Sequence, residues 1–373
     1  MDIINNIGFI CKKLRLRKIG IILQKILLKI LHPSISYSYA EVDKVFNTIH
    51  SNPHNSCITQ NIISSNPEYD LQIIIPAYNT ASYIGDCLSS ILNQKTKYKI
   101  LVQVINDGST DNTLDFITPY LSDSRVMLMN QSNSGQSTAR NSALKCIKSR
   151  YIMFVDSDDL LVDASIDTLL DYAIETNADV VQGSWIEFCE NKILNKHSFK
   201  SEKSDKYSLY GFPWGKVYKS HLFQSVCFPV GYWFEDTLIS LVLPAFIHNV
   251  YTIEECVYKY RINYAGTSYR SRKNPKQLDT IYVTEQLLKD VKKLNPSYLK
   301  EPGVAVIILY QFRMNAMRLA SFDTFEINYM NFLKSVQLYD TYVNSSVIIK
   351  DALAIEIRKA LDERDYIKFI SLV

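Results

Sequence analysis

No stretch of this 373-residue chain approaches the roughly 20 consecutive apolar residues that a membrane-spanning helix needs. The N-terminal segment also lacks the apolar core and small-residue cleavage site of a secretory signal, so the chain is expected to be neither exported nor transmembrane. The seven cysteines, at positions 11, 57, 87, 146, 189, 227 and 256, form no CxxC pair and are odd in number. That argues against a disulfide framework or a zinc site and fits a reducing cytoplasm. The six histidines do not cluster; only His50 and His54 stand four apart, with Pro53 between them spoiling a metal-binding helix. No GxGxxG follows the first apolar strand, which disfavours dinucleotide oxidoreduction. A broad basic surface is missing too. Formal charge is +3, but residues 1–32 carry seven basic side chains against the single acid Asp2, so the remainder is slightly acidic. Nucleic acid is therefore not an expected partner.

What is present begins with that basic segment. In "CKKLRLRKIGIILQKILLKILHP", Ile19, Ile22, Leu23, Ile26, Ile30 and Leu31 recur at helical spacing, Lys18, Lys25 and Lys29 lie off the stripe, and Pro33 ends it. The pattern predicts an amphipathic helix lying on an anionic membrane surface, each cation adding about 1 kcal/mol of attraction. It equally suits a helix packed on the protein's own body or on a second copy. Residues 33–70 read as a polar linker with a short helix near "AEVDKVFNTI". From Leu71 onward, apolar strands alternate with helical patterns: "LQIIIP", "YIGDCLSSILNQ", "ILVQVI", "DNTLDFITPYL", "RVMLM", "GQSTARNSALKCIKS", "YIMFV", "ASIDTLLDYAIET" and "DVVQG". This rhythm predicts an α/β fold, a Rossmann-like and mostly parallel sheet flanked by helices. Beyond residue 280 the patterns are helical only. Three regions are expected: 1–70 as helix and linker, 71–280 as catalytic domain, and 281–373 as a helical C-terminal region.

In open α/β sheets, ligands bind outside the carboxyl ends of the strands. Three such ends carry chemistry: "PAYN" (76–79), "NDGSTDNT" (106–113) and "DSDD" (156–159). In the last, side chains two apart on extended backbone share a face, so Asp156 and Asp158 converge and repel. A divalent cation shared with a phosphate relieves that repulsion. Capping of the following turn by Asp158 and Asp159 explains the same residues, and the stretch by itself leaves both open.

The ordered set "IIIPAYN", "NDGSTDNT", "GQSTARN" and "FVDSDD" resembles the family 2 glycosyltransferases over roughly residues 71–270. The resemblance implies a GT-A fold, a nucleotide-sugar donor, most simply a UDP-sugar, and a glycan or lipid-linked acceptor of the surface-polysaccharide kind. The transferred group would be a hexosyl or N-acetylhexosaminyl unit. It also implies that Asp156 and Asp158 hold Mg²⁺ or Mn²⁺ against the sugar diphosphate.

Donor contacts are expected from Pro76, which ends the first strand, from the turn residues Tyr78 and Asn79, and from Asp107, which can accept a hydrogen bond from a uracil imide. The family often has two acids where this chain has Asn106 then Asp107. Gly135 opens a helix whose amides favour phosphate, and Arg140 supplies a cation one turn later. Inverting transfer needs a base for the acceptor hydroxyl; in "GYWFEDTLI", Asp236 resembles the family's base, with Glu235 beside it and Tyr232, Trp233 and Phe234 positioned to exclude water. "WGKVYK" resembles an acceptor-side segment, giving Lys216 and Trp214, whose ring suits a sugar face and suits the protein interior nearly as well, and "YRINYAGTS" a closing segment in which Arg261 approaches the diphosphate.

Two other classes compete. A haloacid-dehalogenase-like phosphotransferase also places DxD after an apolar strand, but a Thr usually follows the second Asp and here Asp159 does. A non-catalytic sugar-nucleotide-binding protein, sensor or membrane scaffold, would have no need of Asp156, Asp158 and Asp236 together. The sequence as a whole predicts a cytoplasmic enzyme peripheral to the inner face of the plasma membrane.

Overall fold

The computed structural model describes residues 37–190, 192–263, 274–322 and 324–373. The basic segment 1–32, expected as a membrane-surface helix, lies outside the described residues. Contacts divide the chain into two compact units: residues 55–263, and a second in which residues 37–54 join residues 274–373.

In the second unit, α1 (Tyr39–Ile49) starts from a reciprocal cap, Ser38 N–H to Glu41 Oε2 at 2.7 Å and Glu41 N–H to Ser38 Oγ at 3.3 Å. The remaining helices all come from the C-terminal part of the chain.

The larger unit is an α/β sandwich. Its strands are β1 (Tyr69–Ala77), β2 (Ile100–Asn106), β3 (Val126–Asn130), β4 (Ser149–Phe154), β5 (Val180–Cys189), β6 (Lys192–His197), β7 (Glu202–Ser204), β8 (Lys216–Lys219) and β9 (Val250–Arg261). Between them run α2 (Ile84–Leu92), α3 (Thr113–Ile117), α4 (Gln136–Leu144), α5 (Ser165–Glu175) and α6 (Thr237–Leu241). The sheet order is β7-β9-β5-β8-β4-β1-β2-β3, with β6 beside β5 and the short pair Leu160–Leu161 beside β9. The run β3-β2-β1-β4 is parallel, as the alternation predicts. Beyond that run β8 enters antiparallel between β4 and β5, β5 then pairs parallel with β9, and β6, β7 and the Leu160–Leu161 pair lie antiparallel to their neighbours.

Every residue of β2 is buried, as expected of a strand covered on both faces. On one face, Ile73, Ile75, Val102 and Val104 meet Ile84, Cys87, Leu88 and Ile91 of α2 and Ile166, Leu169, Leu170 and Ala173 of α5. Those helix positions recur at three- and four-residue spacing and form one apolar stripe. On the other face Gln72 donates to Gln103 Oε1 at 2.8 Å and to the Ala143 carbonyl of α4.

Pro76 does not end β1, which continues to Ala77. Ile74 C=O accepts from Val155 N–H, so every second residue, Pro76 included, points toward β4. The β4 ladder stops at Ile74 and Phe154, so the missing N–H of proline falls past its end. The turn comes at Asn79, whose φ is +51°.

Candidate active site

The carboxyl ends of β1, β2 and β4 bring three loops together. Asp107 N–H bonds the Ala77 carbonyl at 2.8 Å, and Asn79 Oδ1 accepts from Thr110 N–H at 2.8 Å while Asn79 N–H donates to Ser109 Oγ at 3.1 Å. Asn79 thus ties the first two loops to each other, and Tyr78 beside it is 46% exposed. Gly108, at φ +71°, passes so close to the next loop that a Cβ would lie 2.7 Å from Asn133 N.

Asp107 and Gly135 meet each other. The buried Asp107 carboxylate accepts Gln131 Nε2–H at 2.7 Å, Ser134 N–H at 3.0 Å and Gly135 N–H at 2.8 Å. The amide of Gly135 thus faces a carboxylate of the protein, which occupies the start of α4, where negative charge is favoured. A carboxylate has about four acceptor positions, so Asp107 keeps one for a further donor such as an imide.

Arg140 departs from expectation. Its side chain is 2% exposed; Nη1 donates to Glu235 Oε1 and Nη2 to Asp156 Oδ1, both at 2.8 Å. The guanidinium also packs 5.2 Å from the Phe228 ring. Burial alone would weaken its charge, but the two carboxylates hold it firmly protonated. It is a brace between the turn after β4 and the segment before α6. A dry, doubly bonded guanidinium is poorly placed to reach a ligand.

The "DSDD" turn divides its acids. Asp159 is fully buried and accepts Tyr258 O–H at 2.8 Å and Arg261 N–H at 2.6 Å. Burial, reinforced by Asp158 and Asp156, pushes its carboxyl well above the usual range. Asp156 keeps 30% of its side chain exposed, with only Oδ1 engaged by Arg140. Asp158 receives Asn263 Nδ2–H at 3.3 Å, and burial followed by the charge of Asp156 raises its pKa. Two hard carboxylate oxygens set in mutual repulsion fit a Mg²⁺ or Mn²⁺ ion that completes its shell from diphosphate and water. Among the described residues, no group of three or more His, Cys, Asp or Glu gathers to hold a metal by itself.

Arg261 stands beside the acid turn. Its Nε donates to the Asp158 carbonyl at 2.7 Å, its guanidinium lies over the Phe188 ring at 4.6 Å and the Tyr83 ring at 5.0 Å, and Nη2 stands 3.7 Å from Asp86 Oδ2. A cation therefore flanks the acid turn.

Glu235 and Asp236 differ although adjacent. Glu235 is 2% exposed and holds Arg140 and Gln136 Nε2–H, the latter at 2.6 Å. Asp236 is partly exposed at the start of α6. Phe234 just before them has φ +63°, a conformation a bulky residue rarely adopts and one that concentrates at functional turns. Lys216, fully buried, donates Nζ–H to the Phe212 carbonyl at 2.7 Å and the Trp214 carbonyl at 3.3 Å. Burial drives its pKa well down, opposed by the charge of Asp236. Trp214 is 1% exposed and stacks on Tyr258 and Phe212, so the expectation that its ring carries a sugar is corrected: neighbouring rings cover it.

Sequence reasoning missed Tyr258, Gln136 and Gln131, and it missed the positive φ of Phe234. Tyr258 also accepts Asp156 N–H at 3.1 Å, making it a support for two acids of the turn. Nothing in the spacing along β9 distinguishes it from the other tyrosines there.

Residues 72–230 match the family model "Glycosyl transferase family 2". The chain is similar to glycosyltransferase GlyA of Streptococcus pneumoniae, 29% identical over 219 residues, 53% of this chain and 31% of the relative. It is 36% identical over 113 residues to the uncharacterized glycosyltransferase YibD of Escherichia coli, 30% of this chain and 33% of that one. With TarP, a poly(ribitol-phosphate) β-N-acetylglucosaminyltransferase of Staphylococcus aureus, it shares 33% identity over 120 residues, 31% of this chain and 36% of TarP. The chain thus spans about a third of the length of these relatives. Among solved structures, residues 1–349 of S. aureus TarS in complex with UDP-GlcNAc superpose with a TM-score of 0.62 at 18% identity, covering 81% of this chain and 90% of that one. At that identity the likeness speaks for the GT-A fold. Residues 72–230 of the chain belong to glycosyl transferase family 2.

Proposed function

We propose that the chain is an inverting, metal-dependent glycosyltransferase that moves a sugar from a UDP-sugar to a lipid-linked or growing surface-polysaccharide acceptor. One observation carries the reading: a single buried guanidinium, Arg140, bonds Asp156 and Glu235, fixing the acid turn and the segment leading into Asp236 side by side. Asp156 and Asp158 would hold Mg²⁺ or Mn²⁺, and a bound divalent ion supplies charge neutralisation for a departing diphosphate. Arg261 flanks the same turn and supports the diphosphate from the protein side. The remaining acceptor position on Asp107 suits the uracil imide, and Tyr78 lies exposed in the adjoining loop. Asp236 takes the proton of the acceptor hydroxyl, and Tyr232, Trp233 and Phe234 limit water there. The UDP-GlcNAc held by the TarS structure supports a UDP donor.

A haloacid-dehalogenase-like reading falls with the family match. A non-catalytic binding role is tested with the activity. Purified protein is screened against UDP-, GDP- and dTDP-sugars with Mg²⁺ or Mn²⁺, scoring thermal protection and transfer. Protection by UDP-sugars is expected; protection by GDP- or dTDP-sugars alone contradicts the donor assignment, and donor binding without any turnover favours the sensor. For residues 1–32 we propose peripheral attachment to an anionic membrane, tested by whether their deletion releases the protein from phosphatidylserine vesicles. Among the described residues no helix is long and apolar enough to cross a membrane.

A further inference from the structure

The segment "YGFPWGK", residues 210–216, lies between the acid turn and Asp236. The buried ring of Trp214 is parallel to Tyr258, with centroids 4.5 Å apart and 6° between planes, and parallel to Phe212, at 4.8 Å and 7°. Tyr258 in turn bonds Asp159 and Asp156 through its hydroxyl. Three near-parallel stacked rings therefore step outward from the acids, and the outermost, Phe212, is 40% exposed. Tyr260 lies 6.3 Å from it at 20°, extending the same plane direction. The Phe212 carbonyl accepts from Lys216, and a Cβ on the preceding Gly211 would lie 3.8 Å from Ser240 Oγ of α6, so the backbone under this ring is anchored beside the helix that Asp236 opens.

A lone exposed phenylalanine means little. Here the ring is the open end of an ordered stack whose closed end supports the acid turn, and its tilt is fixed by Trp214 below and by the edge of Trp185 at 6.1 Å and 81°. A flat apolar ring held in one orientation matches the C–H face of a pyranose. Two basic side chains near the ring are already engaged: Lys216 is buried on two carbonyls, and His197, stacked on Trp185, is bonded to Glu187 at 3.0 Å. Nothing in that set recommends the platform to a phosphate-linked chain.

We propose that Phe212, flanked by Tyr260, is the acceptor platform: it binds the pyranose unit next to the one that receives the sugar, and so selects acceptors built of linked pyranoses. This rests on the glycosyltransferase reading above, and the test separates the two. Wild type and Phe212→Ala are saturated with UDP and Mn²⁺ and titrated with methyl pyranosides and with β-linked disaccharides of glucose, galactose and N-acetylglucosamine, followed by fluorescence of Trp185 and Trp214. UDP affinity is measured first. At least one disaccharide is expected to bind wild type, about tenfold more weakly to Phe212→Ala, with Phe212→Trp restoring affinity and methyl monosaccharides showing a smaller loss. Where transfer to that disaccharide is measured, the loss falls on KM rather than kcat. Equal affinity in Phe212→Ala, or no disaccharide binding to wild type that binds UDP, overturns the platform. UDP affinity that falls together with disaccharide affinity in Phe212→Ala marks a structural ring instead and also overturns it. Failure of wild type to bind UDP strikes the underlying reading, while disaccharide binding that depends on Phe212 still upholds the platform.

Discussion

The turn Asp156–Asp159 and the pair Glu235–Asp236 pose the same problem in two places, and the protein solves it the same way. In each, one acid is driven inside and held by two donors: Asp159 by Tyr258 and Arg261, Glu235 by Arg140 and Gln136. In each, a neighbouring acid, Asp156 or Asp236, keeps contact with solvent. The buried member fixes the backbone, and the open member is left for a ligand. The difference lies in what balances the charge. Glu235 and Asp156 share one guanidinium, whereas Asp159 has only neutral donors beside two further carboxylates, so three acids crowd the first region against two in the second. That crowding is the physical reason to assign the metal to the first region and the proton transfer to the second.

The largest effect expected from breaking this division is at Asp158. Asp158→Ala should abolish metal-stimulated donor binding and turnover, read by titrating a UDP-sugar with Mn²⁺ and again in EDTA. Full activity of wild type in EDTA contradicts the metal assignment. Next is Glu235→Gln, which leaves Arg140 buried with one charged partner in place of two. Breaking a buried ion pair costs about 3–5 kcal/mol, measured by urea unfolding followed through the tryptophans, all three of which lie in the 55–263 unit. Unchanged stability would mean that Arg140 is not the brace described. Tyr258→Phe should be milder, about 1–3 kcal/mol, because it removes one neutral donor from the buried Asp159; a rise in the donor Kd should accompany it as the turn loosens, and a shift in stability without one would separate the turn from donor binding.

How much of this was legible in advance follows from the range of the interactions. The parallel core was readable because "LQIIIP", "ILVQVI" and "YIMFV" are apolar without alternation, a local signature of strands buried on both faces. The insertion of β8 was not, since an antiparallel neighbour is chosen by contacts between residues over 60 apart, such as Tyr218 with Ile152. The acids of the site were legible from their motifs, but the side chains that hold the buried ones were not. Arg140 reads as a ligand-facing cation one turn into a helix; only the fold shows that Glu235, 95 residues on, occupies it. Trp214 reads as a sugar platform, and the fold instead covers it with Tyr258, a residue no motif marks.

The central claim is that Asp236, and not Glu235, works on the acceptor. The direct measurement is a paired determination of UDP-sugar Kd and single-turnover transfer rate for Asp236→Asn. The account predicts a rate lower by about 10² to 10⁴, the usual contribution of a positioned base, with Kd and unfolding midpoint close to wild type. Transfer at the wild-type rate, or a loss of rate that merely follows a loss of stability and donor affinity, would contradict it.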